Sequence, residues 1–557
     1  MSACLYDEKP WLAQYTQGLS SELNVPYATI VEAFAAVCEK HATATILQYF
    51  DGAVSVTELN EWAKALALTL SEQGIAKGDR VGLYMQNNPA FIIALLATWQ
   101  LGAIAVPINP MNKAAELSYV LHNSGARALV CLDGLYQKVV APLLNQGQIP
   151  TKVFVTCSAL DGQTSQPPVL FAGQQRLATA PGVFDLQEII DNAGTITAQQ
   201  PLPTVSLAAN DIALLSYTSG TTGKPKGAMN THGNVMFNAC VFQAWSQVTE
   251  ADINFAIAPM FHITGMVAHA ALTLLTGNTL VLMHRFQPSV ALELIREFRP
   301  TITTGAITAF ISLMNTGEIQ PGDFSSFTAV LSGGAPISPT ANEEFYRLTG
   351  QYIHNAYGMT ETCSITLGVP VGKTAPVDQA TSALSIGVPV PNTQVRVLGE
   401  NGQAVTAGEV GELAVKGPQN MVGYWLQDEA TKEAFSEGYL LTGDVGFMDD
   451  DGWFYLVDRK KDMINAGGYK VWPREVEDVM YTHPAIREVA IVGVPDGYRG
   501  ETVKAVVSLK KGASATAEEL IAFGKENMSS YKYPRIVEFM DELPKTNTGK
   551  ILRRSVR

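Results

Sequence analysis

The chain has 557 residues, of which 47% are hydrophobic and 16% charged, and its formal net charge is −14. That length calls for about two to four folding units, and the composition for a globular protein with an ample core. The negative balance excludes a general nucleic-acid binder, so an anionic ligand needs a local basic site.

Residues 1–9 lack the basic-then-apolar plan of an export leader. The six cysteines (Cys4, Cys38, Cys131, Cys157, Cys240, Cys363) form no CxxC pair, which points to a reducing, cytoplasmic setting. The eight histidines form no HxxxH or HxE group, so zinc is not expected. Residues 55–70 open on Ser55 as an N-cap and carry helical apolar spacing. A short strand follows at 79–84. The run 90–106 is apolar enough to raise a membrane question, but it contains Gln100 and Gly102 and is short for a span. A buried helix over 90–99 entering a strand at 103–108 is the better reading. Surface association with a membrane stays open, as does a homodimer. Another strand at 128–131 completes an alternation that implies α/β architecture with an open parallel sheet. Residues 159–182, rich in Gln, Pro, Gly and Ser, read as an exposed excursion.

The most informative stretch comes next. A buried strand at 211–216 leads into Tyr217-Thr218-Ser219-Gly220-Thr221-Thr222-Gly223-Lys224-Pro225-Lys226-Gly227. Its glycines allow tight turning and close approach to a ligand; four hydroxyls and two ammonium groups suit a polyphosphate. Pro225 stands where a Walker loop needs Ser or Thr. A Gly/Ser/Thr linker has similar composition, but this loop is short and follows a buried strand.

Further on, Leu331-Ser332-Gly333-Gly334-Ala335 follows a strand, and its paired glycines permit close backbone contact with a ring or sugar. In Asn355-Ala356-Tyr357-Gly358-Met359-Thr360-Glu361, the tyrosine offers a flat face for a purine and Asn355 a hydrogen bond. Thr360 and Glu361 are oxygen ligands suited to Mg²⁺. A strand-end turn with a helix cap accounts for the same residues. From about residue 388 the texture changes to short strands at 393–398, 411–416 and 452–457, a β-rich subdomain at about 388–457. Asp444, on a turn, could grip two ribose hydroxyls, with an Asx-turn as the alternative; Asp458-Arg459 could act from the other side, or be a surface ion pair. A hinge at 458–462 would divide an N-terminal domain, 1–457, from a small α+β C-terminal domain, 463–557. That domain carries helices at 473–481 and 517–526. Its tail holds Lys550 after Thr548-Gly549, either a solvated basic end or an ammonium delivered into a cleft. Arg553 and Arg554 are expected at the surface.

The order and wording of these clusters closely resemble the adenylate-forming (AMP-binding) superfamily of acyl-CoA synthetases, luciferases and peptide-synthetase adenylation domains, from about residue 27 to the C-terminus. Residues 411–425 are most similar to bacterial medium- and long-chain fatty acyl-CoA ligases. The resemblance implies a large mixed α/β N-terminal domain and a mobile C-terminal lid. It implies ATP, Mg²⁺ and coenzyme A, and a carboxylic acid activated to an acyl-adenylate and then an acyl-CoA. By the same resemblance, Lys226 and the loop hold the leaving phosphates, and Glu361 holds Mg²⁺ with Thr218 or Thr222 close by. Tyr357 with Gly333 and Gly334 encloses adenine, Asp444 and Arg459 hold the ribose, and Lys470 is a further phosphate-side candidate. Lys550 bridges carboxylate and α-phosphate. Rotation about Lys461 would bring Gly467, Gly468 and Tyr469 to the pantetheine arm. His262, in Pro259-Met260-Phe261-His262, borders the acid pocket in the same way; amino-acid adenylation domains carry Asp there, so an amino-acid substrate is not expected. The small or apolar Ile263, Gly265, Met266, Gly305 and Ala306, with Gly333, would line an acyl tunnel. An aryl-acid ligase of the coumarate type, or a luciferase-like oxygenase, would keep much the same residues.

Overall fold

The computed structural model describes residues 5–163, 169–218, 224–335, 337–379, 383–459, 462–466, 469–496, 500–545 and 551–556. The alternation of helices and strands builds two sheets. The first has seven strands, parallel except where the hairpin Ile212–Tyr217 and Gly227–Thr231 ends it. Its inner strands Ile104–Ile108, Ala128–Leu132 and Val153–Cys157 are buried along their whole length, as continuous apolar runs covered on both faces must be. The second has nine strands; Ile302–Ala306, Ala329–Gly333 and Ile353–Met359 lie parallel at its centre and Ser364–Gly368 runs antiparallel beside them.

The apolar run near residue 90 is a helix, Pro89–Gln100, capped by Asn88, whose side chain accepts from the Phe91 amide. It is buried from Pro89 to Trp99, which explains why it has no polar face. Among the described residues no helix is long and apolar enough to cross a membrane. The helix expected from residue 55 is Val56–Glu72, started by a reciprocal cap between Ser55 and Glu58.

A five-stranded antiparallel sheet follows, formed by Gln394–Leu398, Gly411–Lys416, Phe435–Ser436, Tyr439–Met448 and Phe454–Arg459. The last sheet has its own core, in which Ile464, Val471, Val476, Met480, Ile491 and Leu520 pack together. There Gly500–Leu509 pairs with Ile486–Asp496 on one side and with Ile536–Phe539 on the other. Helices Pro473–Tyr481 and Ala517–Asn527 cover it.

Candidate active site

Tyr357 of the second sheet reaches Asp444 of the small antiparallel sheet, and Ala228 of the first sheet bridges to Tyr424, in the connection between two strands of the small one. The polyphosphate-type loop is the tip of the hairpin that closes the first sheet. Tyr217 pairs with Gly227, and the Thr218 amide donates to the Lys226 carbonyl at 2.9 Å. A Cβ on Gly227 would lie 3.2 Å from the Tyr217 ring, so the hairpin base is tight. Lys226 Nζ stands 4.8 Å above the Tyr424 ring. Ser219, Gly220, Thr221, Thr222 and Gly223 lie outside the described residues.

The strand Ile353–Met359 carries the second cluster. Gly333 pairs with Ala356 and Ser332 with Asn355, so the two glycine-bearing segments are neighbours. A Cβ on Gly333 would sit 2.5 Å from the Ala356 carbonyl, and one on Gly358 only 1.7 Å from the Ser364 carbonyl. Contact between strands therefore requires both glycines. Gly334 has φ +81°, which favours glycine; Ala335 follows it, half-buried. Asn355 is 4% exposed, and its Nδ2 has no partner among the described residues. The Tyr357 hydroxyl donates to Asp444 Oδ2 at 2.7 Å. Asp444 itself pairs in register with Arg459. Adenine-side and ribose-side candidates thus touch across 87 residues of sequence.

The turn Thr360–Thr362 follows directly. Glu361 is buried, and burial raises its carboxyl pKa. The Tyr424 hydroxyl donates to Glu361 Oε1 at 2.7 Å, and the Met421 amide to the Glu361 carbonyl at 2.8 Å. Lys226, Tyr424 and Glu361 therefore form one stack of cation, phenol and carboxylate. Sequence reasoning missed Tyr424; its one signal was its place in the similar stretch 411–425. Among the described residues no group of three or more His, Cys, Asp or Glu could hold a metal. One buried carboxylate with nearby hydroxyls suits Mg²⁺, which takes its other ligands from phosphates and water.

Of the residues expected beside the acid, His262 caps the turn Ile263–Gly265, its Nδ1 accepting from the Thr264 amide at 3.3 Å. Ile263 and Met266 are buried and Ala306 is half-buried. A Cβ on Gly265 would meet the Pro259 carbonyl at 2.3 Å; one on Gly305 would meet Ile257 Cγ2 at 2.8 Å and the Phe310 ring at 3.3 Å. Gly265 is thus needed for backbone packing. Gly305 faces side chains. Behind them His269, fully buried, lies 2.9 Å from Asn254 Oδ1 and 3.2 Å from the Ala258 amide. Burial lowers its pKa to about 4, so it braces this wall as a neutral ring.

Near the C-terminus the structure corrects one expectation. Arg553 does not lie free at the surface. Its guanidinium reaches Asp458 Oδ1 at 3.0 Å and Glu477 Oε2 at 2.6 Å, with Asp462 at 3.5 Å. Asp458, 4% exposed, also accepts from the Arg474 amide at 2.8 Å. A buried carboxylate demands such partners, so the Asp458 ion pair is a buried link to the last domain and not a surface one. Lys461, Gly467, Gly468 and Lys550 lie outside the described residues, as do the side chains of Arg459, Tyr469, Lys470 and Arg554.

Residues 34–425 match the family described as AMP-binding enzyme, and residues 475–550 match the AMP-binding enzyme C-terminal domain. The chain belongs to the AMP-binding enzyme family. It is 36% identical over 558 residues to a long-chain-fatty-acid–CoA ligase of Bacillus subtilis (strain 168), covering 99% of this chain and 98% of that one. It is 35% identical over 517 residues to a feruloyl-CoA synthase of Amycolatopsis sp, covering 93% and 96%. The ATP-bound crystal structure of MatB from Rhodopseudomonas palustris superposes with a TM-score of 0.83 at 26% identity, over 95% of this chain and 98% of that one. Within the family this chain is an AMP-forming acid–thiol ligase: it uses ATP and Mg²⁺ to activate a carboxylic acid and transfers the acyl group to coenzyme A.

Proposed function

We propose that the acid is a medium- or long-chain fatty acid, and that one nucleotide pocket serves both half-reactions while a C-terminal lobe, 463–557, turns about a hinge at 458–462 on the N-terminal unit 1–457. In the first half-reaction a carboxylate oxygen attacks the α-phosphorus of ATP and the bond to the β-phosphate breaks, releasing pyrophosphate. Three anionic groups must be gathered, so neutralising charge is the main task. The loop from Thr218 to Gly223, with Lys226, would hold the leaving phosphates. Asn355 and Tyr357, with Gly333 and Gly334, would enclose the adenine, and Asp444 and Arg459 the ribose. A Mg²⁺ held by Glu361, with Thr218, Thr222 or Thr360 alongside, would add positive charge there. Lys550 would align carboxylate and α-phosphate. In the second half-reaction the thiol sulfur attacks the acyl carbon and AMP leaves. Gly467, Gly468 and Tyr469 would then border the pantetheine passage.

The nucleotide part of this reading is supported by one observation: Tyr357–Asp444 and Lys226–Tyr424–Glu361 converge on the same strand end. The acyl part is supported by the apolar Ile263 and Met266 beside His262, and by full-length similarity to a fatty-acid ligase. Each buried methylene contributes about 0.8 kcal/mol, so six more would supply roughly 5 kcal/mol. The free cysteines, four of the described five buried, support work in a reducing cytoplasm. A second reading, an aryl acid, is favoured by the similarity to a feruloyl-CoA synthase.

Pyrophosphate release decides between them, measured over straight-chain acids from acetate to palmitate and over coumarate and ferulate, with and without coenzyme A. The fatty-acid reading requires KM to fall as the chain lengthens from acetate, and an acid in the octanoate-to-palmitate range to saturate the enzyme. A preference for coumarate or ferulate replaces it with the second.

A further inference from the structure

Asn230, Asn234 and Asn238 recur at steps of four. The first lies one residue before the end of the strand Gly227–Thr231 and the others lie in the first turns of the helix His232–Trp245. They are 0%, 6% and 0% exposed. Each side-chain amide donates to a main-chain carbonyl far along the chain. Asn230 Nδ2 reaches Thr360 O at 3.2 Å, and Asn234 Nδ2 reaches Pro418 O at 2.7 Å. Asn238 Nδ2 reaches both Thr362 O, at 3.0 Å, and Cys363 O, at 2.6 Å. Their acceptors lie in the turn that bears Thr360 and Glu361 and just ahead of the segment that bears Met421 and Tyr424.

That turn needs holding. Cys363 has φ +49° and Ser364 φ +99°, a left-handed conformation that costs non-glycine residues ~1–3 kcal/mol each and survives only when surrounding contacts impose it. Asn234 is itself locked, since its Oδ1 accepts from the Thr231 amide at 2.8 Å. Asn230 Oδ1 and Asn238 Oδ1 have no partner among the described residues. A buried, unpaired acceptor costs stability, a cost borne at both positions while the Nδ2 groups hold the carbonyls of this turn.

We propose that Asn230, Asn234 and Asn238 are positioning residues for the first half-reaction. They form a spine that fixes Thr360, Glu361 and Tyr424 relative to the strand leaving Lys226. They touch no reacting atom and act through the turn. The inference rests on the assignment of Thr360 and Glu361 to the ATP side.

The test uses the full-length enzyme with Asn238→Ala and Asn230→Ala. Without nucleotide, amide hydrogen exchange over residues 359–364 should rise at least tenfold in Asn238→Ala, while residues 490–492 of the last sheet stay as in the parent. The Mg²⁺ concentration for half-maximal pyrophosphate release should rise about tenfold or more, the scale seen when groups supporting a metal ligand are removed. Thioester formation from pre-made acyl-adenylate should stay within about twofold of the parent. Unchanged exchange at 359–364, or equal loss of both half-reactions, overturns the proposal. Should Asn238→Ala not fold, Asn230→Ala, which gives up a single bond, carries the same comparison and is decided by the same outcomes. Glu361→Gln, run in parallel, separates the two levels. If it loses pyrophosphate release while the asparagine variants keep theirs, the spine fails and the site reading stands. If it retains full release, the site reading fails.

Discussion

The nucleotide side and the C-terminal lobe are secured in opposite ways. The first is fixed by hydrogen bonds from neutral donors and by close backbone contacts: Gly358 against the Ser364 carbonyl, asparagine amides on carbonyls, and a phenol on Glu361. The second meets the end of the small antiparallel sheet through charge, with Arg553 and the Arg474 amide converging on Asp458 and with Glu477, Asp462 and Asp478 nearby. Buried clamps of this kind give a rigid pocket that salt screens little. A charged cluster can be partly replaced by water, which suits the turning lobe proposed above.

The largest effects should come from breaking the division of labour itself. Lys550→Ala should reduce pyrophosphate release at least a hundredfold, the scale expected when a group that stabilises developing charge is removed. It should leave thioester formation from pre-made acyl-adenylate near the parent rate. Gly468→Leu should do the reverse. Equal loss of both steps in either variant would dissolve the contrast between fixed pocket and exchanging lobe.

Next comes the charged joint. Removing one partner of a buried pair strands the other, at a cost of about 3–5 kcal/mol. The Arg553 side chain is 23% exposed and that of Asp458 2%, so Arg553→Met should fall at or below the lower end of that range. Urea denaturation should show the C-terminal lobe loosening before the rest. Raising salt should narrow the difference from the parent, because the remaining carboxylates repel one another less. A single cooperative transition at the parent midpoint would mean that the cluster is incidental.

A smaller and more selective effect is expected within the rigid side. Tyr424→Phe keeps the ring under Lys226 but removes the hydroxyl from Glu361. Leaving a buried carboxylate oxygen without its donor costs ~1–3 kcal/mol. Half-saturation by Mg²⁺, or by ATP at fixed Mg²⁺, should shift roughly tenfold while the second half-reaction holds. No shift in either would show that Tyr424 only packs.

These residues also mark where the sequence is readable. The hairpin loop, the paired glycines and Asn355 to Glu361 announce themselves because their chemistry is local: small residues, hydroxyls and a carboxylate within one turn. The helix Pro89–Gln100 is equally plain, since Asn88, Pro89 and an unbroken apolar run specify its start and burial. Tyr424 and Arg553 are not readable, because each acquires its role from a partner far along the chain, Glu361 at 63 residues and Asp458 at 95. A basic residue near the end of a chain looks solvated until a buried carboxylate is known to face it. The asparagine steps of four are visible, but their acceptors are backbone carbonyls, which leave no trace in residue type.

The smallest effect concerns pH and the charged joint. Burial raises the Asp478 pKa to about 6; Arg474 and Arg553 oppose the shift, while Glu477 and Asp458 add to it. The folded lobe therefore keeps this proton to higher pH than the unfolded chain, whose Asp titrates near 4. Between those values the folded state binds more protons, so stability falls as pH rises through the window, and the penalty is complete above it. Asp478→Asn removes the penalty while keeping the side chain's size. Each pKa unit corresponds to about 1.4 kcal/mol, so the variant should exceed the parent by ~1–3 kcal/mol at pH 7.5 and match it near pH 4. Urea denaturation at the two pH values measures the difference. If Asp478 matters mainly as the partner of Arg474 Nε, 3.6 Å away, the variant will instead be the less stable at pH 7.5. The lobe would then be held by attraction between the two residues, with burial of the carboxyl a minor cost.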